Sequence, residues 1–185
     1  MKKLLLLIAA VGAMFWSCSS NDDESWDEMM AWRDANNAWF EELLTKKNPD
    51  GTPYYEVVTP AWNPTIKVLM HYFNDRSETE GNLSPIYTST IDTRYKLHLY
   101  DGTAVDSSTA SVVDGKAGIF RTRLDETVIG WGIALPQMRC GDTAEVVIPY
   151  TAGYGAQSTG SVKAFSNLVF NIRLENIYRY ETSPY

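Results

Sequence analysis

Thr90-Ile91-Asp92-Thr93-Arg94-Tyr95-Lys96-Leu97-His98-Leu99-Tyr100-Asp101-Gly102 sets the reading of the whole chain. Ile91, Tyr95, Leu97 and Leu99 fall at odd positions, so an extended backbone puts them on one face. Asp101-Gly102 then supplies the chemistry of a tight turn and sends the chain back. Downstream, Ala144–Ile148 and Leu168–Ile177 carry the same β-branched, apolar signal. Between them and the first strand, Ile133–Met138 predicts one short helix. Upstream, Tyr54–Val58 and Ile66–Phe73 are β-rich, and Asn74–Pro85 is a polar loop. Mostly antiparallel strands around one central helix make an α+β domain. There is no internal repeat.

The N-terminal side reads differently. Ser25 and Glu28 have the spacing of a capping box, and Trp26, Met29, Met30, Phe40, Leu43 and Leu44 recur at helical spacing. Arg33, Asn36 and Asn37 interrupt that stripe midway, and Asn48-Pro49-Asp50-Gly51 ends it with turn residues. The segment 25–47 is thus an amphipathic helical extension that packs on the following domain. The alternative is a dimerisation helix, giving a homodimer. Residues 48–89 form a β-rich lead-in, and 90–179 the main domain.

Before the helix, Met1-Lys2-Lys3 is a basic start, Leu4–Trp16 an apolar run of secretory length, and Ser17-Cys18 closes it. The run is too short for a stable bilayer anchor. The junction resembles the lipobox of bacterial lipoproteins, which implies a signal peptide over 1–17 and lipid on Cys18. An acidic tether, 18–24, would follow. That implies a cell-envelope protein anchored in the outer membrane, on the periplasmic or the surface face. With Cys18 so used, Cys140 is the one thiol left, and an intrachain disulfide is excluded.

The chain has 185 residues, 44% apolar and 21% charged, enough for one globular domain with a short extension. A net charge of -7 argues against nucleic acid as partner. Eleven Tyr and six Trp point to a packed core or a grip on apolar ligands. Ordinary side-chain catalysis is not visible. His71, His98 and Cys140 make no zinc set, no nucleotide-binding glycine pattern occurs, and Asp101 with Asp106 beside a turn reads as capping rather than as a glycosidase pair. No metal or cofactor is expected.

Three segments, in order, carry a resemblance. Tyr95–Ser108 contains Tyr95, Asp101-Gly102 and Val105-Asp106-Ser107-Ser108. Val128-Ile129-Gly130-Trp131 is followed by Leu135-Pro136-Gln137-Met138 and Gly141-Asp142. Ile148-Pro149-Tyr150-Thr151-Ala152-Gly153-Tyr154-Gly155 leads to Asn167-Leu168-Val169-Phe170. Together they resemble the FKBP-type peptidyl-prolyl isomerases over roughly Thr90–Tyr178. The resemblance implies a half-open antiparallel sheet wrapped around a short central helix, with a pocket between them. Trp131 would form its floor, Tyr95 and Phe170 its walls, and Val105, Phe120 and Val162 further wall positions. Tyr154 would donate its hydroxyl inward, Asp106 would hold a polar contact at the edge, and the backbone near Val128 and Ile129 would meet a substrate carbonyl. The implied substrates are proline-containing polypeptides.

The departures matter as well. Val105 stands where the family has Phe, one residue is missing before Gly130-Trp131 or Thr127-Val128 replaces the usual pair, and Val162-Lys163 replaces Ile-Pro. Residues 109–119 fit no family pattern. Two functions follow as expectations: a prolyl isomerase assisting folding in the envelope, or a non-catalytic module of the same fold that grips extended or Pro-containing segments.

Overall fold

The computed structural model describes residues 20–180, with side chains from Ser25 onward. The expected signal peptide, 1–17, and Cys18 lie outside the described residues. Helix α1 (Ser20–Thr45) leads into nine strands: β1 (Glu56–Val58), β2 (Val68–Tyr72), β3 (Thr90–Leu99), β4 (Ala104–Ser107), β5 (Val112–Val113), β6 (Lys116–Ala117), β7 (Phe120–Arg123), β8 (Thr143–Ile148) and β9 (Leu168–Arg179). Helix α2 (Ile129–Ala134) falls between β7 and β8. One antiparallel sheet runs in the order β1-β2-β8-β9-β3-β4, with β7 also on β3, and β5 and β6 form a separate small hairpin.

The reading around Thr90 holds at the centre of this sheet. β3 pairs with β9 along its whole length, and Ile91, Leu97 and Leu99 are buried. The Asp101-Gly102 turn follows, with Gly102 at φ +84°, a conformation that costs glycine nothing. Asp101 accepts the Thr103 N–H at 2.9 Å, so it caps the turn. β1 and β2 join the same sheet through β8, so the lead-in completes the domain's sheet.

Helix α2 begins at Ile129, four residues before the expected start. Its two glycines mask a helical pattern in sequence, yet each has a packing reason. A Cβ on Gly130 would overlap the Ile148 side chain, and one on Gly132 would come within 2.7 Å of the Tyr87 ring. Trp131, Ile133, Ala134, Leu135 and Met138 thereby reach the concave side of the sheet and bury with Val68, Met70, Val146, Ile148, Leu168 and Ile172. This is the main core, with the sheet wrapped around the helix.

The opposite face of the sheet is covered in part by α1. Phe40 and Leu43 bury with Leu69, Val147, Val169 and Tyr55. The docked stripe is Trp32, Asn36, Trp39, Phe40 and Leu43, at helical spacing. Two expectations change here. The helix starts at Ser20, so it takes in part of the expected tether and Ser25 is interior rather than a cap; and Trp26 is exposed. Asn36, which broke the apolar stripe in sequence, is fully buried. Its Oδ1 accepts the Asn167 N–H at 2.8 Å, its carbonyl accepts Asn167 Nδ2 at 2.7 Å, and its own Nδ2 donates to the Trp32 carbonyl. A buried amide with both ends satisfied fixes helix register where an apolar residue would only pack. Among the described residues no helix is long and apolar enough to cross a membrane.

Candidate active site

Four rings from four elements meet over α2. Trp131 of α2 lies 5.3 Å from Phe170 of β9, 5.6 Å from Tyr95 of β3 and 6.2 Å from Phe120 of β7, measured between centroids. Tyr95 lies 5.5 Å from Phe120 and 5.9 Å from Phe170. All five contacts are edge-to-face, the arrangement that sets each ring's positive edge against a neighbour's negative face. Trp131 is buried while Phe120 and Tyr95 are half-buried, so the box is closed below and open above. Among the described residues, nothing hydrogen-bonds the buried indole Nε1 of Trp131.

The box lines a cavity of about 390 Å³, a size suited to a small ring and its flanking amides. Leu97, Asp106, Thr122, Glu126, Thr127, Val128 and Tyr154 complete its lining. Tyr95 Oη donates to Asp106 Oδ2 at 2.6 Å, and the Ser107 N–H donates to Asp106 Oδ1 at 2.7 Å. Burial of the Tyr95 phenol, reinforced by Asp106 as acceptor, pushes its pKa well above the usual tyrosine value. Tyr95 therefore stays neutral and its hydroxyl is committed to Asp106. Tyr154, at 38% exposure, sits at the rim.

Seven of the ten residues singled out for the pocket thus line one cavity: Tyr95, Asp106, Phe120, Val128, Trp131, Tyr154 and Phe170. Three do not. Val105 is the extra residue of a bulge, because Leu97 pairs with Asp106 while His98 pairs with Ala104. A bulge re-aims its side chain, and Val105 packs against the core instead. Val162 is buried behind the cavity in the same core. Ile129, at the start of α2, is exposed. Val128 precedes the helix in extended conformation, with no side chain capping the first turn. Leu97, Thr122, Glu126 and Thr127 were not expected to line a site. Leu97 reads as an ordinary core strand position, and the three polar residues carry no pattern in sequence.

The hairpin of residues 112–117, which fitted no pattern, is tied to the box. Arg121 pairs with Asp92 through two contacts of 2.6 and 2.8 Å and reaches Asp114 at the hairpin tip at 2.8 Å. Those carboxylates hold the Arg121 charge beside Phe120 and raise its pKa further.

Comparison with known proteins gives the family from sequence and the fold from structure. The model of the FKBP-type peptidyl-prolyl cis-trans isomerases matches residues 83–175. The macrophage infectivity potentiator of Trypanosoma cruzi is 35% identical over 98 residues, 52% of this chain and 47% of that protein. The outer membrane protein MIP of Legionella longbeachae is 32% identical over 94 residues, 50% of this chain and 38% of that protein. The chain therefore spans less than half the length of these relatives. Among solved structures, FkpA from Escherichia coli superposes with a TM-score of 0.62 at 21% identity, covering 84% of this chain and 65% of that one. This last likeness shows the fold. The ring box, its place over α2 and the match across half of the sequence lead to one conclusion: the chain belongs to the FKBP-type peptidyl-prolyl cis-trans isomerase family.

Proposed function

We propose that this protein accelerates rotation about X-Pro bonds in the cavity over Trp131. The observation that carries the reading is the four-ring box with one committed phenol and no free acid or base at its floor. A prolyl amide rotates over a barrier of about 18–20 kcal/mol because resonance gives its C–N bond double-bond character. Twisting breaks the resonance and leaves a less dipolar group. An apolar, water-poor cavity disfavours the planar amide relative to the twisted one, which is preferential binding of the transition state. Each 1.36 kcal/mol so gained is about tenfold in rate. In this reading Trp131, Phe170, Phe120 and Tyr95 enclose the proline ring. Asp106 orients Tyr95, Tyr154 donates to a substrate carbonyl from the rim, and the amides at the start of α2 serve the adjoining carbonyl.

A protease-coupled assay on a short X-Pro peptide tests this. Isomerisation should accelerate in proportion to enzyme, and Trp131→Ala should abolish the acceleration. Peptide binding with no acceleration would assign the chain to the second reading, a non-catalytic module. The inward-packed Val105 favours that reading, because it leaves one wall without a ring.

For location, the reading is a lipoprotein processed at Cys18 and held at the outer membrane, where its substrates would be unfolded envelope proteins. The basic start, the apolar run and the Ser17-Cys18 junction support it. A second copy, if one binds, would meet the undocked N-terminal part of α1, where Trp26 is 58% exposed. Sedimentation of a Trp26→Glu variant against the parent tests that contact.

A further inference from the structure

Every charged side chain that lines the cavity is acidic. Asp106 and Glu126 both line it, and among the described residues no Lys, Arg or His belongs to the lining. The two carboxylates differ in their commitments. Asp106 accepts from Tyr95 Oη and from the Ser107 N–H. Asp125, one residue before Glu126, is paired with Arg123 at 2.7 Å and does not line the cavity. Glu126 is exposed at the rim, and among the described residues no hydrogen bond or ion pair holds its carboxylate. Its backbone is fixed all the same, in a one-turn 3-10 helix, Leu124–Glu126, where the Thr127 N–H and Oγ1 both close on the Leu124 carbonyl. Buried Leu124 anchors that turn in the core. The result is a free negative charge on a rigid turn, one residue from the Thr127-Val128 wall. The charge of the whole chain, -7, adds a field of the same sign.

We propose that Glu126 selects substrates carrying Lys or Arg within a residue or two of the proline, and rejects those carrying Asp or Glu there. The proposal rests on the isomerase reading, and it names the substrate class of that same site. With the proline ring in the aromatic box, the neighbouring residues must cross the rim. A long cationic side chain can then lie along the apolar wall and place its charge at Glu126. An acidic one meets Glu126 and Asp106 together, and like charges at short range oppose binding. Because Glu126 is exposed, the preference must be modest and sensitive to salt.

The test uses three peptides that differ only at the residue before proline: Lys, Leu and Glu. At low ionic strength kcat/KM should fall in the order Lys, Leu, Glu, with about a fivefold span from first to last, the scale of one exposed attraction plus one exposed repulsion. The span should shrink in 0.5 M salt, roughly a 4 Å screening length. Glu126→Gln should bring the Lys-to-Glu ratio close to one, and Glu126→Lys should invert it. Equal rates on the Lys and Glu peptides for the parent would overturn the proposal. So would a ratio that survives in Glu126→Gln, since the preference would then belong to the overall field. If no peptide is turned over, the isomerase reading fails by itself. Binding of the same three peptides, followed by titration calorimetry, then decides the role of Glu126 by the same ratio and the same variants.

Discussion

Trp131 and Tyr154 line one cavity and act through different physics, so their variants separate. Trp131 is 2% exposed and touches three other rings. Trp131→Ala should cost about 3–5 kcal/mol of stability along with ligand binding. Tyr154 is at the rim, and Tyr154→Phe removes only a hydroxyl. Thermal unfolding should barely move, while peptide binding should weaken by about 0.5–1.5 kcal/mol. Unfolding on Tyr154→Phe with binding intact would make Tyr154 a core residue. Tyr95 adds a pH signature. Its folded-state pKa lies above the unfolded value, so the contribution of its neutral hydrogen-bonded form is complete below about pH 10 and is lost as pH rises through the folded value. Denaturant titrations between pH 8 and 11 should show a steeper alkaline loss for the parent than for Tyr95→Phe, because only the parent has a phenol that ionises more readily unfolded than folded. At this scale Tyr95 was legible through strand alternation, and Phe170 and Asp106 through the family resemblance of their segments. Val105 was not, because the bulge that turns it inward is a property of pairing between β3 and β4 and leaves no mark on residue type.

Helix α2 places Trp131, and the closeness of Gly130 to Ile148 is what permits that placement. Any Cβ at Gly130 meets the Ile148 side chain within the core. Gly130→Ala should therefore cost about 1–3 kcal/mol by overpacking, despite alanine's better helix propensity, and should shift the Trp131 emission. Paired Ile148→Val should recover part of the loss. The loop before β3 is held in a similar way by one buried group. Asp142 accepts from Thr79 Oγ1 at 2.6 Å, from the Arg139 N–H at 2.8 Å and from Asn74 Nδ2 at 3.1 Å, with Arg76 at 3.4 Å. Burial alone would raise its pKa, but these donors and the Arg76 charge outweigh it and leave the carboxyl below its ordinary value. Its stabilising contribution is present above that ordinary value and fades as pH falls through the folded one. Asp142→Asn should cost roughly 1–3 kcal/mol at pH 7 and flatten the acid limb of the stability curve. None of this loop network is visible in composition, which shows only a polar stretch. The short strands β4 and β7 escaped notice for a related reason. Ala104–Ser107 and Phe120–Arg123 are half-exposed and largely polar, and they are strands because β3 offers them partners.

On the scale of the whole molecule, the sheet separates two jobs. Its concave face and α2 make the cavity, and its convex face carries α1, through Phe40, Leu43 and the Asn36–Asn167 exchange. Docking begins at Trp32, whose Nε1 donates to Ser166 Oγ at 3.0 Å. The twelve helical residues before it, about 18 Å at 1.5 Å each, stand between the docked part and the candidate lipid site at Cys18. An anchor attached there pulls on the convex-side helix and leaves the cavity's lining untouched. Cys18→Ser should consequently change where the protein resides and leave what it does alone. The variant should accumulate as unprocessed precursor or leave the membrane fraction, with an unfolding temperature and a rate on X-Pro peptides equal to those of the detergent-solubilised parent. Membrane partition unchanged in a correctly processed Cys18→Ser protein would place the anchor elsewhere. A lowered unfolding temperature would mean that the lipid end of α1 contributes to the fold.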